Sequence, residues 1–248
     1  MKNQALQIEE AALNAWPAIH QFIYDGWILR FSMGYTKRAN SVNPLYASTL
    51  DLETKIMGCE KAYAQQGLPP IFRITPLAAN ELDSVLERRG YRKIDLTHVM
   101  VLNLTQRSFL EPQEIGLREL PLEQWMGVYS TVSESVVGKQ PGHVEILRGI
   151  LQPHLLAALE KSGQWLACGL GVLERDLFGL FDIITHSSVR RQGFGTRLME
   201  GMLGWAEFQG ATVSYLQVMD TNAPARWLYQ RLGFEDVYSY WYRVPGDE

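Results

Sequence analysis

The residues best suited to chemistry lie in one short run late in the chain, Arg190-Arg191-Gln192-Gly193-Phe194-Gly195. The run follows an apolar segment, residues 177–185, and precedes residues 195–209, whose apolar side chains repeat with helical spacing. The first backbone N–H groups of a helix have no intrahelical acceptor, and glycine lets an anion approach them closely. The run therefore predicts a site for an anionic group, with Arg190 and Arg191 beside it.

Two nucleotide-binding loops of similar glycine content do not fit this run. A Walker A loop ends in Gly-Lys-Ser/Thr, and the run contains no lysine. A dinucleotide-binding fingerprint needs Gly or Ala three residues after its second glycine, where Leu198 stands. It also needs an acidic residue about 20 positions later, where residues 214–216 are not acidic. A relaxed helix start without any ligand stays open as an alternative.

The order Arg-x-x-Gly-x-Gly resembles the motif Q/R-x-x-G-x-G/A of the GNAT superfamily of N-acetyltransferases, which cradles the pyrophosphate of acetyl-CoA. A second stretch, residues 222–234, resembles the superfamily signature N-x-x-A-x-x-L-Y-x-x-x-G-F, with Asn222 and Tyr229 in place. The resemblance covers residues 113–248. More loosely, residues 25–45 resemble the N-terminal part of two-part bacterial GNAT proteins.

The resemblance implies a role for each residue of the site. Backbone amides of residues 192–196 bind the pyrophosphate, while the end of the preceding strand separates from its neighbour and pairs with the pantetheine arm. Tyr229 is the implied catalytic residue, because a phenol can protonate the leaving thiolate. No metal is implied. The cofactor-binding residues are Ile183, Ile184, Thr185, Arg190, Arg191, Gln192, Gly193, Phe194, Gly195, Thr196 and Asn222.

The implied activity is acetyl-CoA-dependent transfer of an acetyl group to a primary amine, by direct attack in a ternary complex. The amine belongs to a small molecule or a protein, and helices over residues 122–132 and 143–151 are expected to line its site. The sequence identifies no general base, although Asp182 and Glu134 are candidates by location. An acyl-CoA-binding sensor without catalysis is therefore an alternative, and so is Tyr229 as an ordinary core aromatic.

Strands and helices alternate along the whole chain, which predicts an α/β (α+β) fold, and the resemblance implies a mixed, mainly antiparallel sheet flanked by helices. Residues 86–91, LERRGY, echo residues 228–234, LYQRLGF, and each stretch precedes an apolar strand. We interpret this echo as two tandem halves, a degenerate half over residues 1–112 and a catalytic half over residues 113–248. Aligned halves place the first cofactor loop at residues 47–52, which lack glycine and arginine, so no cofactor is expected there.

Local patterns make further predictions. A helix is expected over residues 9–23, a strand over residues 37–43, and a helix N-cap at Asn80. Residues 155–163 fit a helix or a strand. The polar side chains between Arg38 and Asn43 either face the acceptor pocket or bond their own backbone.

The composition narrows the class of protein. The 248 residues carry a formal net charge of -4 and show no basic stripe, so no nucleic-acid partner is expected. Two distant cysteines and five histidines have no metal-binding or disulfide spacing. The N-terminus lacks a signal-peptide core, and the longest central apolar run is too short to span a bilayer. We expect a cytoplasmic protein, and the sequence leaves a monomer and a dimer equally open.

Overall fold

The computed structural model describes residues 2–105, 109, 116–134 and 141–246. Within these ranges the α-helices are α1 Lys2–Ala15, α2 Leu52–Gln65, α3 Leu82–Arg88, α4 Leu122–Ser133, α5 Pro141–Arg148, α6 Phe194–Phe208 and α7 Ala223–Arg231. The strands are β1 His20–Tyr24, β2 Trp27–Phe31, β3 Val42–Pro44, β4 Phe72–Ile74, β5 Arg92–Asn103, β6 Leu117–Glu119, β7 His154–Lys161, β8 Gln164–Glu174, β9 Leu177–Thr185, β10 Val213–Met219 and β11 Glu235–Val244.

All of these strands join one sheet in the order β1-β2-β3-β4-β11-β5-β10-β9-β8-β7-β6. Two neighbouring pairs are parallel, β3 with β4 and β9 with β10. The other neighbours run antiparallel. The predicted α/β (α+β) class with a mixed, mainly antiparallel sheet is therefore confirmed.

The sheet contains the same unit twice, namely strand, helix, parallel strand, helix and final strand. The first unit is β3-α2-β4-α3-β5 and the second is β9-α6-β10-α7-β11. The two final strands are exchanged, because β11 pairs with β4 while β5 pairs with β10. The sequence echo falls at the end of α3 and of α7, the same place in both units, which supports two tandem halves. The predicted boundary at residues 112 and 113 lies outside the described residues.

Helices cover both faces of the sheet. α1, α4 and α5 bury one face around Trp16 and Trp125. On the other face, α6 and α7 pack with β5 and with strands of the C-terminal half around Met199 and Phe234. A third cluster joins α2 and α3 to β2, β3 and β4. No helix among the described residues has the length and apolarity needed to cross a bilayer.

Two local predictions were wrong at their boundaries. The helix expected over residues 9–23 ends at Ala15, since Pro17 restricts the backbone before it and the following residues pair with β2 as β1. The strand expected over residues 37–43 begins as a 3-10 helix, Lys37–Ala39, and becomes extended only at Val42.

The structure also gives the outcome for the predicted helix cap at Asn80 and for the secondary structure of residues 155–163. Asn80 does not cap α3, because the helix begins at Leu82 with Glu81 in the cap position and no side-chain cap bond. The ambiguous residues 155–163 belong mainly to β7, which lies between β6 and β8 and pairs with both. Periodicity alone does not distinguish an apolar strand that is buried between two other strands from a buried helix.

Candidate active site

The glycine run lies at the start of α6, directly after β9. Gly193 is the N-cap of α6 and has a φ of +87°, a conformation that L side chains rarely adopt. Gly195 lies in a tight space, because a Cβ there would lie 3.1 Å from Thr185 Oγ1 and 3.4 Å from Leu228 Cδ2. The end of β9, the start of α6 and helix α7 therefore meet at Gly195.

The backbone N–H groups from Arg191 to Thr196 donate to no acceptor within the described part of the chain. The next amide, that of Arg197, bonds the Gly193 carbonyl at 3.0 Å and starts the helical pattern. A Cβ on Gly193 would meet no atom within 4 Å, so the space beside the loop is open. A run of unpaired amides at the positive end of a helix is an anion-binding surface.

Side chains of the loop hold the preceding backbone in place. Arg190 Nε donates to the Thr185 carbonyl at 3.3 Å, and Gln192 Nε2 donates to the Ser188 carbonyl at 3.4 Å. His186 Nδ1 lies 2.8 Å from Ser188 Oγ. These contacts fix the turn between β9 and α6 while leaving the amides themselves unoccupied.

β9 and β10 stay paired over only part of their length. Their parallel register runs from Leu177 and Val213 to Leu180 and Leu216. β9 then continues to Thr185 and β10 to Met219 with no further pairing between these described strands. The predicted Ile183, Ile184 and Thr185 lie on this unpaired stretch, and their other edge pairs with β8. The edge of β9 that faces β10 is thus open beside the free amides.

Asp182 occupies a β-bulge on the same stretch. Its φ is +49°, and the register between β8 and β9 shifts between Cys168 and Leu170. Its Oδ2 lies 2.9 Å from Nε2 of His143, which is fully buried on α5. The contact is a hydrogen bond between an imidazole nitrogen and a carboxyl oxygen, and it fixes the orientation of the Asp182 side chain. Bulges often re-aim a side chain beside an active site, which is what this one does to Asp182.

Aromatic rings from both halves surround His143. Trp16 and Tyr35 come from the N-terminal half, with ring centroids 5.7 and 5.3 Å from that of His143. Tyr129 and Trp125 of α4 lie at 4.9 and 6.4 Å. Burial and then the Asp182 charge raise the pKa of both Tyr35 and Tyr129. One wall of this site is therefore built by the N-terminal half.

The sequence did not reveal the contact between His143 and Asp182. The two residues are 39 positions apart, and no spacing rule connects a helix residue with a strand bulge. The predicted acceptor helices do supply two members of the cluster, Tyr129 from α4 and His143 from α5. Part of their connecting loop, residues 135–140, lies outside the described residues.

Asn222 and Tyr229 lie on α7. Asn222 is its N-cap, and Oδ1 accepts from the Ala225 amide at 3.3 Å, a structural role that the sequence analysis did not assign. Tyr229 is 8% exposed, and its ring centroid lies 6.1 Å from that of Phe234. Burial raises the pKa of Tyr229 to about 12, so the phenol keeps its proton at neutral pH. Its contribution to catalysis stays a prediction.

Glu134, the other candidate base, ends α4 and contacts the loop before the amides. Its Oε1 accepts from Ser187 Oγ and lies 3.5 Å from His186 Nε2. These partners make Glu134 a brace for the loop. The described residues contain no cluster of His, Cys, Asp and Glu that could hold a metal ion.

A parallel strand pair that separates beside a glycine-containing helix start is what the resemblance to the GNAT superfamily implies for this part of the chain. The chain belongs to the family described as probable histone acetyltransferase Rv0428c C-terminal, whose model matches residues 3–243.

Relatives and solved structures agree with this family. The chain is 26% identical over 247 residues to the uncharacterized N-acetyltransferase YobR of Bacillus subtilis (strain 168), covering 96% of this chain and 97% of that one. It is 26% identical over 237 residues to the probable histone acetyltransferase Rv0428c of Mycobacterium tuberculosis (strain ATCC 25618 / H37Rv), covering 92% and 69%. A GCN5-related N-acetyltransferase from Kribbella flavida shares the fold, with a TM-score of 0.70, 16% identity and coverage of 98% and 96%. The chain is thus an N-acetyltransferase of the GNAT superfamily, as its sequence motifs predicted.

Proposed function

We propose that the chain transfers an acetyl group from acetyl-CoA to a primary amine by direct attack in a ternary complex. The observation that carries this proposal is the run of unpaired backbone amides from Arg191 to Thr196. A pyrophosphate has the charge and the number of oxygens to accept from several of them at once. Each such contact at a helix terminus is worth only about 0.3–1 kcal/mol at an exposed site, so the run must act together.

The open edge of β9 supports a binding site for the pantetheine arm of the cofactor. An extended arm with amide groups can pair with a strand edge as an added strand does. The edge beyond Leu180 is free on the side of β10 and leads away from the amides. A pantetheine arm bound there brings the thioester to the gap between β9 and β10, with Asp182 on one of the strands that border it.

The reaction needs a base, an oxyanion site and an acid. An alkylammonium has a pKa of about 10.4, as lysine does, and it must first lose a proton, which the Asp182 carboxylate accepts directly or through water. The amine nitrogen then attacks the thioester carbon, and an unpaired N–H of β9 stabilises the oxyanion. As the C–S bond breaks, the Tyr229 phenol donates a hydrogen bond to the leaving sulfur, and the second proton that the nitrogen loses is transferred to that sulfur through the phenol or water, so that the phenol keeps its proton. The products are an amide and free CoA.

Asp182 suits the role of base better than Glu134. It lies on the unpaired stretch of β9, and His143 orients it with a single hydrogen bond that leaves Oδ1 available. Glu134 is already engaged by Ser187 and His186 in front of the amide run. Both carboxylates lie in the C-terminal half, so a pair of matched substitutions separates them.

The test combines calorimetric titration with acetyl-CoA and an acetyl-transfer assay over a panel of amines. We expect one acetyl-CoA site and turnover with at least one amine. Asp182→Asn keeps the acceptor oxygen for His143 but removes the charge, and we expect kcat to fall by about 100-fold or more. Glu134→Gln is the matched control, and we expect its kcat to stay within about threefold of wild type.

Two results would contradict the proposal. Absence of acetyl-CoA binding would remove its main support, since the unpaired amides would then have no cofactor to hold. Tight binding without transfer to any amine would instead favour an acyl-CoA sensor. Equal losses of kcat in Asp182→Asn and Glu134→Gln would withdraw the assignment of the base alone.

A further inference from the structure

Arg38 brings a positive charge from the N-terminal half to the edge of the proposed acceptor site. It lies in the 3-10 helix Lys37–Ala39, and its Cζ is 5.7 Å from the ring centroid of Trp16 and 5.8 Å from that of Phe181. Phe181 directly precedes Asp182 and is the first residue of β9 beyond its pairing with β10. The guanidinium is therefore placed beside the gap between the two strands.

This guanidinium has no anionic partner among the described residues. No salt bridge or hydrogen bond of its side chain is formed there, and its Nε is buried without an acceptor. Its neighbour Lys37 pairs with Asp95 at 3.0 Å, and the buried Arg73 pairs with Glu9. The rings of Trp16 and Phe181 partly compensate this half-buried cation, but they carry no negative charge. Lys37 and Arg73 thus form salt bridges within the protein, whereas Arg38 has no carboxylate partner among the described residues and is available to bind an anion.

A second donor without a partner lies across the gap. Gln217 is the first residue of β10 beyond its pairing with β9. Its Oε1 accepts from Tyr240 Oη at 2.8 Å, which directs the amide and leaves the buried Nε2 without an acceptor in the described chain. A planar carboxylate can accept from a guanidinium and from an amide N–H together.

Asp182 supplies the opposite charge nearby. Trp16 links the two charges, since its ring centroid lies 5.7 Å from Arg38 Cζ and 5.7 Å from the ring centroid of His143, whose Nε2 lies 2.9 Å from Asp182 Oδ2. The site thus contains one guanidinium and one carboxylate on either side of the same ring cluster. The ligand that matches this pair carries an ammonium and an anionic group on one small molecule.

We propose that the acceptor is an amine that also bears a carboxylate, an amino acid or a similar zwitterion, and that Arg38 selects it by binding the carboxylate. This inference rests on the proposed acetyl transfer. The ammonium lies toward Asp182, where it loses its proton and attacks the thioester, while the carboxylate accepts from Arg38 and Gln217. The N-terminal half then determines acceptor specificity although it holds no cofactor.

The test uses the full chain and pairs of amines that differ only in the carboxylate. α-Amino acids are compared with their carboxamides, and ω-amino carboxylates of increasing length with alkylamines of the same length. We expect wild type to prefer the carboxylate member of the best pair by about 10-fold or more in kcat/KM, as a charged hydrogen bond provides. Arg38→Gln should abolish that preference through the KM of the acceptor, with the Kd of acetyl-CoA unchanged.

Two further variants separate recognition from folding. Arg38→Lys keeps the charge and should restore part of the preference. Lys37→Gln removes the adjacent cation, which pairs with Asp95, and should leave the preference intact. A wild type that treats both members of every pair alike overturns the inference, and so does an Arg38→Gln variant that keeps the preference.

Failure of the proposed function is distinguishable from failure of this inference. If wild type binds acetyl-CoA but acetylates no amine, the same zwitterions are titrated calorimetrically into the protein saturated with CoA. Binding to wild type that Arg38→Gln loses still supports the Arg38 site, whereas absence of binding overturns it. Turnover of amines with no preference for a carboxylate overturns only the inference and leaves acetyl transfer intact.

Discussion

The loop between β3 and α2 and the loop between β9 and α6 occupy the same place in the two repeated units. They differ in whether their backbone amides have hydrogen-bond acceptors. In the second loop the amides from Arg191 to Thr196 stay unpaired in the described structure. In the first, the amides of Thr49 and Leu50 both donate to the carboxylate of Asp25, at distances of 2.9 to 3.0 Å. Thr49 Oγ1 adds a further bond of 2.7 Å.

Asp25 is the anion of the first loop. The amide of Leu50 and the side chain and amide of Thr49 hold the pKa of that carboxyl well below its usual range. Lys55, which is buried, donates to the Asp25 carbonyl at 2.6 Å and lies 3.9 Å above the ring of Trp27. In the N-terminal half, Asp25 therefore accepts from the loop amides and the N-cap Asp51 accepts from the Thr54 amide at the start of α2, whereas the amides from Arg191 to Thr196 have no acceptor within the described part of the chain. The same topology thus has paired loop amides in one half and unpaired loop amides in the other.

The largest effect is expected from blocking the free amides. Gly193→Val places a branched side chain in the open space beside the loop, and we expect the Kd of acetyl-CoA to rise by about 100-fold or more, because several amide contacts are lost together. Calorimetric titration measures this change.

Gly210→Val is the matched control for this substitution. Gly210 has the same φ of +87°, also lies in open space, and follows the opposite end of α6. Both variants should lose about 1–2 kcal/mol of unfolding free energy through backbone strain. If both variants raise the Kd of acetyl-CoA equally, the effect of Gly193→Val comes from backbone strain and the loop after β9 is not a specific binding site.

A smaller effect is expected from Tyr229→Phe. With the pKa of Tyr229 at about 12 and that of a thiol at about 8.5, the phenol helps the leaving sulfur mainly as a hydrogen-bond donor. We expect kcat to fall by about 10- to 100-fold with little change in the Kd of acetyl-CoA. Steady-state kinetics and titration separate the two quantities.

Tyr215→Phe provides the comparison, because Tyr215 is also buried but lies on the paired end of β10. The kcat of the Tyr215→Phe variant should stay near the wild-type value. An unchanged kcat in Tyr229→Phe would assign Tyr229 to the core and leave the thiolate to be protonated by water.

The smallest effect is expected from Asp25→Asn, and it depends on pH. The folded-state pKa of Asp25 lies below its unfolded value of about 3.9, so the ionised carboxylate stabilises the fold above that pH. This contribution is lost as the pH falls through the folded-state pKa. The difference in Tm between wild type and variant should therefore narrow as the pH drops below about 4.

Glu53→Gln, which removes a surface partner of Arg89, is the control for that pH series and should show no such narrowing. Asp25→Asn should still bind one acetyl-CoA, since the loop at residues 47–52 has neither glycine nor arginine. A second acetyl-CoA site in the variant would mean that Asp25 alone keeps the first loop empty. The difference in acetyl-CoA binding between the two loops would then be due to one side chain.

The sequence by itself determined the features that depend on neighbouring residues. The helix start at Gly193 is built from contiguous backbone, so its glycines and its preceding apolar strand can be recognised in the text. The alternation of strands and helices, and the echo at the ends of α3 and α7, likewise follow from local patterns. The sequence left two alternatives open for the polar run near Arg38, and both occur: Asn40 bonds the backbone of Thr36 and of Ser32, while Arg38 lies against Phe181.

Only the tertiary structure decided what joins distant parts of the chain. The bond between His143 and Asp182, the position of Arg38 beside β9, and the exchange of β5 and β11 all depend on strand order and register. Side chains on a helix, a 3-10 turn and a bulge have no shared period that would reveal their contact. The candidate cofactor loop could therefore be found in the sequence, whereas the candidate acceptor site depends on contacts between residues of both halves.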